Sequence, residues 1–169
     1  GGAIYNVQSN IILTNCEFTE NLASSGAAIY NITDSNGVLT KCNFICNTAN
    51  LSNGGAIVNG NYSNPILNNC TFQENWAKTS GGAIHNFDNS EPNITNCLFI
   101  KNSAITKGGA IANQGSDPNV MNCAFSANYS FNGGGVDNYY GNPIFSSCVF
   151  SNNSAEHYGG AIQNYFGYL

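Results

Sequence analysis

The chain has 169 residues, of which only 8% are charged: four lysines, no arginine and nine acids, for a formal net charge of −5. Phosphate recognition needs clustered cations, so nucleic acid is excluded as a partner, as is recruitment to acidic membranes through a polybasic patch. No apolar run approaches the roughly 20 residues that span a bilayer, so this segment is not expected to insert, and no basic and apolar leader opens the chain, which starts Gly1-Gly2-Ala3-Ile4-Tyr5-Asn6.

That opening hexapeptide is also the first copy of a repeat. Gly-Gly-Ala-Ile-x-Asn, or a close variant, begins at Gly1, Gly26, Gly54, Gly81, Gly108, Gly133 and Gly159, at steps of 25, 28, 27, 27, 25 and 26 residues. A fixed period in this range marks a repeat architecture. Each unit reads as three short strands in chain order. The first is Ala-Ile-x-Asn. The second is the aliphatic pair before a cysteine. The third is Cys-x-Phe, with cysteines at 16, 42, 70, 97, 123 and 148 and a phenylalanine always two residues later. An asparagine follows three residues beyond each phenylalanine, and a small residue (Ala23, Ala49, Ala77, Ala104, Ser130, Ala155) two beyond that.

Apolar positions alternate over short pieces broken by Asn, Gly, Ser or Pro, and no helical spacing is sustained, so the expected fold class is all-β. Three strands per unit give one coil of a parallel β-solenoid, about six coils of 25–28 residues plus a partial seventh, in one domain spanning residues 1–169 without evident caps. At a strand spacing of about 4.8 Å the rod is roughly 30 Å long. The Ile4 column, the Leu13 column, the cysteines, phenylalanines and small residues should fill a narrow core that is stable only through stacking on neighbouring coils. Asparagines before the cysteines and after the phenylalanines suit turns, and amides at equal heights can bond from coil to coil. The six stacked cysteines have parallel Cβ vectors, which favours buried thiols over disulfides and gives no converging metal set.

Gly-Gly-Ala-Ile at residues 1–4, 54–57, 81–84, 108–111 and 159–162, its variants at 26–29 and 133–136, and the six Phe-x-x-Asn motifs resemble the repeats of the chlamydial polymorphic outer-membrane proteins. The resemblance covers essentially the whole chain and implies a right-handed parallel β-helix, displayed on the cell surface as an autotransporter passenger and used in adhesion. The family's signal peptide and membrane β-barrel are not in these residues.

Exposed aromatics are the candidate binding residues: Tyr5 and Tyr30 on the first-strand face, Trp76 beside a Phe-x-x-Asn turn, and Phe87, Tyr139, Tyr140, Tyr165 and Phe166 following the first-strand asparagines. They fit either stacking on a surface glycan or protein ligand, or packing across coil edges. Glu91 and Asp117 fall six residues before their cysteines and should stack, flanked by Asn64 and Asn142. That pair fits a weak calcium site, a glycosidase acid/base pair, or two solvated turn acids. His85 lies between Val58 and Ala112 with no acidic partner, and His157 is expected in a loop two coils away, so no Ser/His/Asp arrangement can be assembled. No catalytic residue and no cofactor is expected. The chain starts in a full repeat and stops eleven residues into another, which predicts a piece of a longer rod or ends that meet other copies in an open filament, with the terminal Tyr165–Leu169 run as plug or contact. The function expected is a non-catalytic extracellular or cell-surface module, structural or adhesive; the alternative is a carbohydrate-binding or polysaccharide-degrading β-helix protein.

Overall fold

A computed structural model of the chain describes residues 1–167; the last two residues of the terminal run, Tyr168 and Leu169, lie outside the described residues. The described residues form 25 strands and no helix. Each coil has four strands rather than three, because the segment after Phe-x-x-Asn is itself a short strand: Leu22–Ala23, Thr48–Ala49, Trp76–Ala77 and their successors. Strands stack in four parallel sheets of seven, six, six and six strands running the length of the rod. The register is one repeat unit per coil, with Ile4 on Ile29, Ile29 on Ile57 and Ile57 on Ile84 in the first sheet and Phe44 on Phe72 and Phe72 on Phe99 in the third.

Four strands need four corners, and the corners have a common solution. At each one a residue takes the left-handed region: a residue such as Gln8 or Asp88 after the first strand, Asn15, Asn69 or Asn96 before the cysteine, Glu20, Glu74 or Lys101 before the ladder asparagine, and a glycine at the fourth. Asparagine accepts that conformation at low cost, which explains its place before cysteine. The expectation that the asparagine after phenylalanine is also a turn residue is corrected, since the residue just before it makes the bend. Only the fourth corner demands glycine. A Cβ at Gly81 would sit 2.2 Å from the Ile84 carbonyl oxygen.

The side chains turned inward meet copies of themselves. Phe44, Phe72, Phe99 and Phe125 are fully buried, and successive rings from Phe18 to Phe125 stack at 4.7–5.0 Å, nearly parallel. That separation is the strand spacing, so the backbone register sets the ring stacking. The isoleucine, leucine, cysteine and phenylalanine columns form one continuous core. Ala49, Ala77 and Ala104 form a separate small cluster instead of joining it, because the ladder asparagines precede them at the corner. All seven cysteines are free thiols. Each column thiol from Cys42 to Cys148 donates to a main-chain carbonyl of the preceding coil, at 3.5–3.7 Å. Cysteine thus adds a weak thiol donor to carbonyls of the second-sheet strands, which a purely aliphatic residue could not do.

Two asparagine ladders run through the interior. In the first sheet Asn6, Asn31, Asn59, Asn86, Asn113, Asn138 and Asn164 pass a hydrogen bond from Nδ2 to the next Oδ1 at 2.5–2.9 Å. The second ladder consists of the asparagines after phenylalanine and is fully committed. Asn75 donates from Nδ2 to Asn102 Oδ1 and back to the Phe44 carbonyl, both at 2.9 Å. Its Oδ1 accepts from the main-chain N and the Nδ2 of Asn47 at 3.0 and 2.9 Å. A third ladder links main-chain N–H groups to the buried hydroxyls of Ser35, Ser63, Ser90 and Ser116. Burial in these ladders also removes two glycosylation sequons, at Asn31 and Asn128, from use.

Removing a ladder amide strands several buried partners at once. Asn75→Ala should therefore cost about 3 kcal/mol or more, comparable to the roughly 3–5 kcal/mol expected of Phe72→Ala. The outward Thr95→Ala should change stability by no more than about 0.5 kcal/mol. Urea unfolding midpoints at unchanged slope measure all three.

Candidate functional site

The residue before each corner glycine forms a fifth row along the rod: Ser25, Asn53, Ser80, Lys107, Asn132 and Tyr158. Its middle members are bridged in parallel, Ser80 to Lys107 and Lys107 to Asn132, and Asn132 pairs with Tyr158. This row stands beside the outward column of the first sheet, which carries Tyr5, Tyr30, Val58, His85, Ala112, Asp137 and Gln163 in register. The varied identities of that column suggest a solvent-facing position. Yet Val58, His85, Ala112 and Asp137 are buried, because the row overhangs them. Between row and column lies a groove with two depressions.

The first depression, of about 180 Å³, is lined by Ser25, Tyr30, Ser52, Asn53, Val58, His85, Phe87 and Gln114. His85 is its interior group, and burial lowers its pKa to about 4, so the ring is neutral at physiological pH. The second, of about 250 Å³, is lined by Lys107, Asn132, Asp137, Tyr139, Tyr158, Gln163 and Tyr165. Asp137 is only 2% exposed. Burial pushes its pKa up to about 6, against the opposing pull of the Lys107 charge. The Lys107 ammonium sits 4.3 Å from the centre of the Tyr139 ring, a cation–π contact. The Tyr139 and Tyr165 rings stack at 5.7 Å and 11°.

One fact sets this groove apart. Among the described residues four buried side-chain polar atoms lack a hydrogen-bond partner: His85 Nδ1, Asn132 Oδ1, Asp137 Oδ2 and Gln163 Oε1. All four belong to groove residues, three of them to the second depression. Buried polar atoms are almost always paired, so a concentration of unpaired ones needs a reason.

The expected site residues divide accordingly. Tyr30 and Phe87 line the first depression and Tyr139 and Tyr165 the second, and of these only Tyr165 is exposed; the other three are half-buried rather than exposed. Tyr5 is exposed and packs on Tyr30 at 5.5 Å. Tyr140 and Phe166 stack at 5.0 Å at the corner beyond the groove without lining it. Trp76 lies on the fourth sheet, half-buried and outside the groove. Glu91 and Asp117 are exposed and occupy the corner column, where Glu91 N–H donates to Asn64 Oδ1 and Asn142 N–H donates to Asp117 Oδ1. No cluster of three metal-ligating His, Cys, Asp or Glu side chains occurs among the described residues. His157 is on a strand, Ser154–Tyr158, rather than in a loop. The outward Glu74 and Lys101 form a surface ion pair at 3.6 Å, of small energetic value.

Sequence reasoning missed Lys107, Asn132, Asp137, Tyr158 and Gln163 as a group. A signal existed. Asp137 is the one acid in a column otherwise filled by Tyr, Val, His, Ala and Gln, and Lys107 the one cation in a row of Ser, Asn and Tyr.

The two interior groups respond oppositely to acid. His85 accepts a proton near 6.5 when unfolded and near 4 when folded, so its contribution to stability is lost as pH falls through that window. Asp137 is protonated near 6 when folded and near 3.8 when unfolded, so the fold gains from it over nearly the same fall. Between pH 6 and pH 4, Asp137→Asn should therefore lose more stability than the parent, and His85→Leu less, as read by urea unfolding at intermediate pH values.

Residues 1–167 match the family model described as right handed beta helix region. No curated protein and no solved structure matches the chain. With the parallel four-sheet coil already in place, the match identifies the chain as a member of the right-handed β-helix family.

Proposed function

We propose that this chain is a non-catalytic recognition rod, a structural or adhesive module of the cell surface or extracellular space, working through the groove over its first sheet. The observation that carries the reading is the distribution of unpaired polar atoms. The ladders consume the interior's hydrogen-bonding capacity coil by coil, and what is left over lies in one groove beside aromatic walls. Unspent capacity in a rigid, preformed cleft is suited to holding a ligand.

The non-catalytic part rests on what the groove contains. Glycoside hydrolysis uses two carboxylates facing each other across the scissile bond, and among the described residues Asp137 is the only carboxylate lining either depression. His85 is two coils away from it, about 10 Å at the strand spacing. Surface display is supported by the resemblance of the Gly-Gly-Ala-Ile and Phe-x-x-Asn repeats to chlamydial-type passenger domains.

Beads coated with the protein should adhere to cell or matrix surfaces, with adhesion falling at least ten-fold in a Tyr139→Ala/Tyr165→Ala variant and unchanged in Glu91→Ala. Incubation with neutral and acidic polysaccharides should release no new reducing ends. Turnover that disappears in Asp137→Asn would overturn the non-catalytic reading, and adhesion indifferent to the groove variant would overturn the assignment of the surface.

A further inference from the structure

We infer that the second depression of the groove binds a single uncharged sugar ring, held by Asn132, Asp137 and Gln163 against the Tyr165 ring. The inference rests on the reading of the groove as a recognition surface and adds the class of ligand.

The argument is one of complementarity. The depression presents three oxygen atoms that accept hydrogen bonds and have no donor: Asn132 Oδ1, Asp137 Oδ2 and Gln163 Oε1. Asp137 and Gln163 are register partners on adjacent strands, and Asn132 pairs with Tyr158 on the overhanging row, so acceptors face the cavity from both sides. The occupant must therefore bring several donors close together. A sugar ring does so with its hydroxyls, whereas a carboxylate or phosphate brings acceptors only and meets the Asp137 carboxylate.

Charge narrows the class further. Among the described residues the lining holds one carboxylate, Asp137, and one ammonium, Lys107, which balance. An anionic ligand is opposed by the first and a cationic one by the second, which already occupies the Tyr139 face. An acidic polysaccharide, whose recognition would call for a surplus of cations, is thus disfavoured at this site. Tyr139 carries the Lys107 ammonium and stacks on Tyr165, so the apolar face open to the C–H side of a pyranose is that of Tyr165, the exposed member of the pair. At about 250 Å³ the depression is smaller than the roughly 300–1,000 Å³ of sites for drug-sized ligands, which fits one ring and not an enclosed oligosaccharide. Donation to Asp137 Oδ2 would also favour its ionised form, opposing the upward push of burial.

The test is a titration of the isotope-labelled protein, followed by backbone amide shifts. The neutral arm uses the methyl glycosides of glucose, galactose and mannose, and N-acetylglucosamine; galacturonate is the anionic arm and choline the cationic one. At least one neutral sugar should shift the amides around Asn132, Asp137, Tyr139 and Gln163 saturably, in the millimolar range, and more strongly than galacturonate or choline. Asp137→Ala and Gln163→Ala should each weaken that binding at least ten-fold while leaving amide positions in the third sheet unchanged, which establishes that the variants fold. No response to any neutral sugar, or a stronger response to galacturonate or choline, would overturn the inference. Groove-dependent bead adhesion alongside such a result would sink the sugar and leave the recognition surface standing, whereas polysaccharide turnover would sink the recognition reading itself.

Discussion

The interior of this rod depends on amides stacked in register. A column of asparagines in an apolar core would be prohibitive if each side chain faced the interior alone, because an unpaired buried amide forfeits the hydrogen bonds it had in water. Coil-on-coil stacking removes the cost by setting each Nδ2 against the next Oδ1, and in the second ladder a phenylalanine carbonyl takes the remaining amide hydrogen. The solution works only at one register. A slip by one residue would turn every inward phenylalanine outward and break each amide bond together. The polar ladders therefore specify the alignment that the hydrophobic columns stabilise.

This arrangement pairs most polar groups of the interior with one another. Thiols donate to strand carbonyls of the preceding coil, serine hydroxyls accept from corner N–H groups, Asp117 accepts from a neighbouring N–H, and Glu74 pairs with an ammonium. The groove departs from the pattern because its two walls come from different parts of the coil. The row before the corner glycines varies in side chain from coil to coil, as does the column it overhangs. A repeat protein can thus change its surface at these positions without disturbing the ladders beneath, and the Asp137 coil shows the variation carried to a buried, unpaired carboxylate.

The period, the parallel coil and the inward columns were legible because each is a property of one residue recurring at one spacing. Ile4 and its successors, the cysteines and the phenylalanines announce the core directly. The fourth strand escaped notice because two residues such as Thr48-Ala49 carry no alternation to read. The buried role of the asparagine after phenylalanine was hidden for a related reason. Asparagine has the same one-letter appearance in a turn and in a ladder, and only the position of the left-handed residue beside it separates the two. The groove was harder still, since Lys107 and Asp137 lie 30 positions apart in sequence and meet only through the overhang. The aromatic residues Tyr139 and Tyr165 pointed to the right face, but as surface rings rather than as the walls of a cleft.

The most direct measurement is hydrogen exchange at the side-chain amides of Asn47, Asn75 and Asn102, followed by NMR alongside the strand backbone amides. In-register ladders predict that these Nδ2 protons exchange as slowly as the main-chain amides of the core strands, since both open only when coils separate. Exchange at the rate of a free asparagine side chain in a folded protein would contradict the account.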